Sequence, residues 1–449
     1  MSDIDKLRAS EHFDAEWYLS QYPDVAALGM DPAEHYLKYG ASLMRDPSAD
    51  FSTRFYFDTH PGKWRSNSTP LTDLEQRLGG NMKPEERSIL WAAYTVATYG
   101  GIDKAIRLVE THAPHHLAHT AAILKANKAL QAGSYDDWLK HLNSYLEHYN
   151  LAPVRLNGTG SLFDRLATAP LSPVADGPLI SVLMPAWNAS QTIRMAANSI
   201  LQQTWRNLEL LIVDDCSSDD TWSILQDIAA QDSRVTVLQN KVNVGPYVSK
   251  NLALQKAKGD WITGHDADDW AHPQRLERHY EVGHHYRASV ADMLRLTPNG
   301  LFGQFTKIGE FSRDGVARRA SISCLFNAHF LKSKLGYWDS VRYGGDSEMI
   351  SRTRALLKSE FKDLNEIGML CLDLETSLTN DPNTGIKTAT GLSDSRRTYK
   401  QSWTALHKNL TEKAAYLDFP QKTRRYQAAA EMVVTEEAIL ANLSSAASS

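Results

Sequence analysis

Two stretches decide the fold: Leu179-Ile180-Ser181-Val182-Leu183-Met184-Pro185-Ala186-Trp187-Asn188, and Leu208-Glu209-Leu210-Leu211-Ile212-Val213-Asp214-Asp215-Cys216. Each is a largely apolar run that breaks into polar residues, as expected of a strand buried on both faces of a parallel sheet. Ser190 to Gln202 reads as a helix between them, and Asp219 to Ala230 as the next. Val235 to Leu238, Tyr247 to Ala257 and Asp260 to Thr263 continue the alternation of strand and helix. This β-α-β-α-β-α-β order specifies a parallel sheet with helices on its faces. Ligands of such sheets bind beyond the carboxyl ends of the strands. The polar clusters fall there: Pro185 to Asn188, Asp214 to Ser218, and Asp266-Ala267-Asp268-Asp269-Trp270.

Outward from this core, the organisation predicted is a small helical module over 1–75, a helical-hairpin module over 76–150, a linker over 151–177, the α/β domain over 178–410, and a C-terminal helix with a disordered tail over 411–449. Asp31-Pro32 opens a helix with an N-cap followed by Pro at the first position. Gly101 and Gly133 stop successive helices and lie 32 residues apart, near the period of tetratricopeptide-like hairpins. Two hairpins leave an apolar face uncovered, so the array is expected to lean on a neighbour. The 449 residues carry a net charge of −5, which excludes a polybasic nucleic-acid binder as the primary role. Three cysteines (Cys216, Cys324 and Cys371) exclude a disulfide framework. No run is long and apolar enough for a membrane helix, so the expectation is a cytoplasmic protein, peripheral at the cytoplasmic face of the membrane at most.

Carboxylates crowded at the end of a parallel sheet repel one another unless a cation or ligand joins them. Asp266 and Asp268 are separated by one residue on an extended turn, so both can face one hard divalent ion. Mg²⁺ or Mn²⁺ takes one or two protein carboxylates and fills its other positions with phosphate oxygens and water. The bland alternative makes Asp268 a cap for a helix beginning near Pro273. The ordered series Ile180 to Asn188, Val213 to Thr221, Asn243-Val244-Gly245, Lys250-Asn251, Lys258-Gly259-Asp260 and Asp266 to Asp269 resembles the nucleotide-binding half of glycosyltransferase family 2. Those are inverting sugar transferases of GT-A fold. The resemblance covers Leu179 to Tyr280 and implies a Rossmann-like mixed α/β sheet with helices on both faces, here preceded by all-α modules. It implies that Pro185, Ala186 and Asn188 border the nucleotide, that Asp215 bonds the base, and that Asp266 lies near the ribose. Asp268, with Asp266, would hold the metal. Lys250 stands where Arg is more usual and would meet the pyrophosphate as a point charge.

In the second half, Gly344-Gly345-Asp346-Ser347-Glu348-Met349 resembles the family's acidic catalytic motif at a helix start, with Gly345 in place of a frequent Glu. Asp346 is then the catalytic base, and Glu348, Arg352 and Trp270 are expected on the acceptor side. A helix N-cap is the plain alternative for Asp346. Ser377-Leu378-Thr379 and Trp403 to His407 resemble a C-terminal element that closes over the donor, which makes His407 a candidate third metal ligand. Together these imply a metal-dependent inverting transfer from a nucleotide-sugar, a UDP-sugar by resemblance, to a glycan or glycolipid acceptor in cell-surface polysaccharide synthesis. The modules before Asn150 would present the acceptor or another assembly enzyme. The rival reading is a degenerate GT-A domain serving as a glycan- or partner-binding scaffold. His112, His115, His116 and His119 are read as a surface turn because Pro114 interrupts them.

Overall fold

The computed structural model describes residues 2–60, 69–78, 83–375, 377–378, 380–381, 384–386 and 392–446. The chain forms two compact units, Met1–His148 with Leu301–Arg318, and Tyr149–Gly300 with Arg319–Ser449.

The first unit is helical. Asp31 caps Pro32–His35 by accepting from the Glu34 N–H, with Pro32 at the first position. Ile89–Gly100 and Ile102–His112 form one hairpin, and Ala121–Gln131 and Tyr135–Glu147 the next. Gly101 and Gly133 both stand at positive φ at the stops, and Ser134 caps the last helix. The neighbour that two hairpins require comes from a distant part of the chain. Residues 301–318 are sewn to the hairpins by paired hydrogen bonds between Asn127 and Phe302, at 2.8 and 2.9 Å. The Tyr94 and Phe305 rings stack beside them at 4.2 Å. Residues 301–318 leave the α/β half of the chain to complete this unit.

The second unit is built on a mixed sheet. Its main strands are β1 (Ile180–Ala186), β2 (Leu208–Asp214), β3 (Val235–Gln239), β4 (Trp261–Gly264), β5 (Trp270–Ala271), β6 (Ala288–Leu296), β7 (Leu325–Asn327) and β8 (Phe361–Leu372). They lie in the order β3-β2-β1-β4-β7-β6-β8-β5. The first four are parallel, β7 runs antiparallel to both its neighbours, and β8 is parallel to β6. Side chains alternate between two cores. Ile180, Val182 and Met184 face one core with Leu210 and Ile212, whereas Leu183, Leu211 and Val213 face the other. Helices α1 (Ile193–Leu201) and α2 (Thr221–Gln231) cover the first face. Helix α3 (Gly245–Lys256) covers the second, α4 (Arg275–Gly283) returns to the first, and α5 (Gly345–Leu357) and α6 (Asp394–His407) complete the second. Each fully buried aliphatic side chain in these cores contributes about 1.5–3 kcal/mol.

Two segments flank this α/β core. Residues 151–177 are not a bare linker: Val154–Leu156 pairs antiparallel with Leu166–Thr168, and Val174 exchanges backbone hydrogen bonds with Thr204 and Arg206. The C-terminal helix expected past 411 is present, and the residues before it are tied to the rest of the unit. The Arg342 N–H donates to the Met432 carbonyl, and the Val434 N–H to the Ser340 carbonyl. Helix α7 (Glu436–Ala446) then packs Ile439 against Val248 and Leu252 of α3. The tail expected from Ser444 is helical through Ala446, and the rest of it, 447–449, lies outside the described residues, as does Thr379.

The loop from α3 to β4 is fixed by a close backbone approach. The Gly259 N–H donates to Ser181 Oγ at 2.8 Å. A Cβ on Gly259 would lie 2.7 Å from the Ser181 nitrogen and 2.8 Å from the Leu179 carbonyl oxygen, both backbone atoms that cannot move aside cheaply. Gly259→Ala is therefore expected to cost about 1–3 kcal/mol or more, read as a lowered denaturation midpoint by circular dichroism.

Candidate active site

The ends of β1 and β2 form one wall. Asn188 sits at φ 47°, a conformation Asn tolerates, and its side-chain oxygen accepts from the Ser218 N–H at 2.9 Å. Its own N–H donates to Ser217 Oγ at 2.9 Å, so Asn188 staples the two strand-end loops together. Asp215 is 2% exposed. One carboxylate oxygen accepts from Asn240 Nδ2 (2.8 Å) and the Val244 N–H (2.9 Å), and the other from the Gly245 N–H (2.7 Å) at the start of α3. Burial raises its carboxyl pKa, and these donors pull it back. Pro185, Ala186, Trp187, Asp215, Pro246 and Arg342 border a cleft of about 290 Å³, small for a ligand site but within reach of that class. Three of the expected donor residues, Pro185, Ala186 and Asp215, thus meet here, while the exposed Asn188 is not among the lining residues. Trp187 and Arg342 were not singled out from sequence. An exposed aromatic directly after a strand was the available signal for Trp187, which is 59% exposed. Nothing local marked Arg342.

The second wall is the turn after β4. Arg275, 1% exposed, donates to the Gly264 carbonyl at 2.6 Å and to Thr263 Oγ1 at 3.2 Å, and contacts His265 Nδ1 at 3.0 Å. Asp269 is held from the far side by the Leu372 N–H at 3.0 Å. The turn so pinned leaves Asp266 and Asp268 half-buried side by side. Burial, reinforced by Asp266, lifts the Asp268 carboxyl pKa to about 6. Burial raises Asp266 as well, with Lys250 opposing and Asp346 adding to the rise. Helix α4 begins after Gln274 with no side-chain cap, so Asp268 is not its cap. Among the described residues no group of three or more His, Cys, Asp and Glu could hold a metal by itself. Two half-buried carboxylates that repel one another nonetheless match the one or two that Mg²⁺ or Mn²⁺ takes from a protein.

Asp346 lies in the first turn of α5, whose N-cap is Gly344 with no side-chain cap, so it is free of capping duty. Lys250 Nζ contacts both its carboxylate oxygens at 3.0 Å, and Trp338 Nε1 donates to Oδ1 at 3.0 Å. A carboxylate offers about four acceptor positions, so one is left, on Oδ2. The Lys250 side chain is 2% exposed and that of Asp346 20%. Lys250 is therefore committed to Asp346, a correction to its expected place on a pyrophosphate.

The sequence model for glycosyl transferase family 2 matches residues 181–337. Residues 181–337 are thus similar to glycosyltransferase family 2. It is 43% identical over 103 residues to the putative colanic acid biosynthesis glycosyl transferase WcaA of Escherichia coli. It is 40% identical over 92 residues to the E. coli UDP-Glc:alpha-D-GlcNAc-diphosphoundecaprenol beta-1,3-glucosyltransferase WfaP. These matches take in 22% and 20% of this chain, and in both the chain spans 36% of the relative's own length. Among solved structures, Staphylococcus aureus TarS 1–349 in complex with UDP aligns at a TM-score of 0.36 and 20% identity, over 44% of this chain and 61% of TarS. The mixed sheet with helices on both faces is the GT-A arrangement the family implies.

Against the family pattern, Gly345 has a local cause: a Cβ there would lie 2.8 Å from the Tyr247 ring, which fills the space a Glu would need. Four further expectations are corrected. Glu348 and Arg352 have fully buried side chains and pair at 2.8 Å, so neither meets an acceptor. Burial would raise the Glu348 carboxyl, but the Arg352 guanidinium holds it below its usual value. Arg352 also donates to the Leu335, Ala415 and Tyr337 carbonyls, a use of charge for tying loops. Trp270 is 4% exposed, packed in β5 opposite Leu370 and edge-on to His272. His407 has both ring nitrogens engaged, by Ser351 Oγ at 2.9 Å and by the Tyr426 hydroxyl at 3.1 Å, with Glu348 3.3 Å away. It belongs to the core rather than to a metal shell.

His407→Ala is accordingly expected to lower the melting midpoint and to leave a Mn²⁺ titration unchanged, since no open ring nitrogen is lost. For Asp268 the sign runs the other way. A carboxyl whose folded pKa is raised from 3.8 to about 6 loses stability as pH climbs through that window. Asp268→Asn should thus raise the midpoint of the metal-free protein at about pH 7.5 by a few degrees and change it little at about pH 4.

Proposed function

We propose that this domain transfers a sugar from a nucleotide-sugar, a UDP-sugar in the first instance, to a hydroxyl of a glycan or lipid-linked glycan acceptor. Transfer is metal-dependent and inverting, and serves cell-surface polysaccharide synthesis at the cytoplasmic face of the membrane. The observation that carries the reading is the Asp346 carboxylate, held by Lys250 and Trp338 with one acceptor position open, beside the paired aspartates of the β4 turn. The names of WcaA and WfaP support polysaccharide assembly, and that of WfaP supports a UDP-sugar and a diphosphate-lipid acceptor. The helical unit is assigned to presenting the acceptor or a partner enzyme of the same assembly.

A divalent ion held by Asp266 and Asp268 would offset the negative charge that grows on the departing diphosphate. The protein's own residues do the rest. Trp187 offers a ring face and Pro185 and Pro246 apolar edges to the base in the cleft. Asp346 Oδ2 takes the proton of the attacking hydroxyl as the new bond forms. Lys250 and Trp338 keep that carboxylate from rotating away, so the base is oriented before the acceptor arrives. One base opposing one leaving group makes a single displacement, which inverts the anomeric centre; retention would need a carboxylate nucleophile as well.

The roles separate experimentally. Asp346→Asn should leave donor binding within about twofold and lower transfer by about 10²–10⁴. Asp268→Ala should instead weaken metal-supported donor binding, measured by calorimetry with Mn²⁺ and a panel of nucleotide-sugars. Equal loss of donor affinity in the two variants would refute the division, and a wild type that consumes no donor would favour the scaffold.

A further inference from the structure

A nucleoside diphosphate brings two phosphates, and most cations around the cleft are already committed. Lys250 is bound to Asp346. Arg275 is spent on Gly264, Thr263 and His265. Arg342 donates to the Asn243 side-chain oxygen at 2.6 Å, and Arg396 to the carbonyls of Thr384 and Leu378. Arg275 too keeps an unpartnered buried Nε, but among the described residues the whole guanidinium of Arg295 is uncommitted. It stands near the end of β6, in register with Cys371 of β8. The next residue of β8, Leu372, is the one whose N–H holds Asp269. The guanidinium is therefore beside the aspartate turn, and its charge is felt at Asp266, Asp268 and Asp269. Among the described residues it nevertheless makes no hydrogen bond or ion pair, and its Nε is buried without a partner. A buried donor left unmade is costly, and such groups in folded proteins ask for a ligand.

We propose that Arg295 is an anion-binding residue of the donor site, its guanidinium taking an oxygen of the donor's diphosphate beside Asp266 and Asp268. The planar fork of Arg suits a phosphate, whereas the point charge of Lys suits the pairing with Asp346. With Lys at position 250 paired to Asp346, the forked contact would come from Arg295. The inference rests on the donor reading above and adds a residue to it.

The test compares a nucleoside diphosphate with its nucleoside. Wild type, Arg295→Met and Arg295→Lys are titrated calorimetrically in Mn²⁺ with UDP and with uridine, or with whichever of UDP, GDP and dTDP the wild type prefers and its matching nucleoside. Arg295→Met is expected to weaken the diphosphate by about 10–100-fold and the nucleoside not at all, with Arg295→Lys between. Its melting midpoint should hold or rise, since an unmade buried donor is removed. Unchanged diphosphate affinity, or an equal loss for both ligands, overturns the assignment. A wild type that binds none of the three diphosphates overturns the donor reading itself, and this inference with it.

Discussion

The ion pair between Lys250 and Asp346 joins the two halves of the α/β unit. A buried ammonium left alone would cost several kcal/mol, so α3 and α5 can pack only in the register that brings the two charges together. The constraint propagates in both directions. The neighbour of Lys250, Asn251, exchanges two 2.9 Å hydrogen bonds with the Trp338 backbone, and the Trp338 indole reaches Asp346. The other end of α3 is fixed to β2 by the Asp215 carboxylate. The cleft wall and the candidate base are thus held by one connected set of hydrogen bonds.

Charge at the sheet edge sets a second condition. Burial raises the carboxyls of Asp266, Asp268 and Asp269, and each of the three feels the next as a like charge or is felt by it. A scaffold selected for stability alone would not gather them. Their cost is offset where a cation or a cationic side chain lies opposite, which places stability and donor binding in opposition at this turn. The C-terminal segment fastens a different loop, the one after β3. Asn442 of α7 accepts from the Lys241 and Val242 N–H groups, and its amide donates to the Val242 carbonyl.

Much of this was legible because it is local. Apolar runs ending in polar residues gave strands whose ends match those observed within a residue or two, and Gly101, Gly133 and Asp31 marked helix ends through backbone conformation and capping alone. Pro185, Ala186 and Asp215 met at the cleft because they lie at the carboxyl ends of two adjacent parallel strands. The failures share a different origin. Glu348 and Arg352 show the same i, i+4 spacing whether they face solvent or core, and burial separates the two cases. His407 and Trp270 likewise carry chemistry that becomes packing once every polar atom or ring face is occupied.

The parallel α/β core, the helical hairpins and the positions of the carboxylates follow from periodicity, caps and residues adjacent in the chain. Only the tertiary structure decided which charges are spent. Lys250 on Asp346, Arg352 on the Leu335, Ala415 and Tyr337 carbonyls, and Tyr247 in the space at Gly345 all depend on residues from other elements. So does the placement of 301–318 with the helical unit. A side chain's chemistry is set by its neighbours' distance and by the water it has lost, and neither is encoded at short range in the chain.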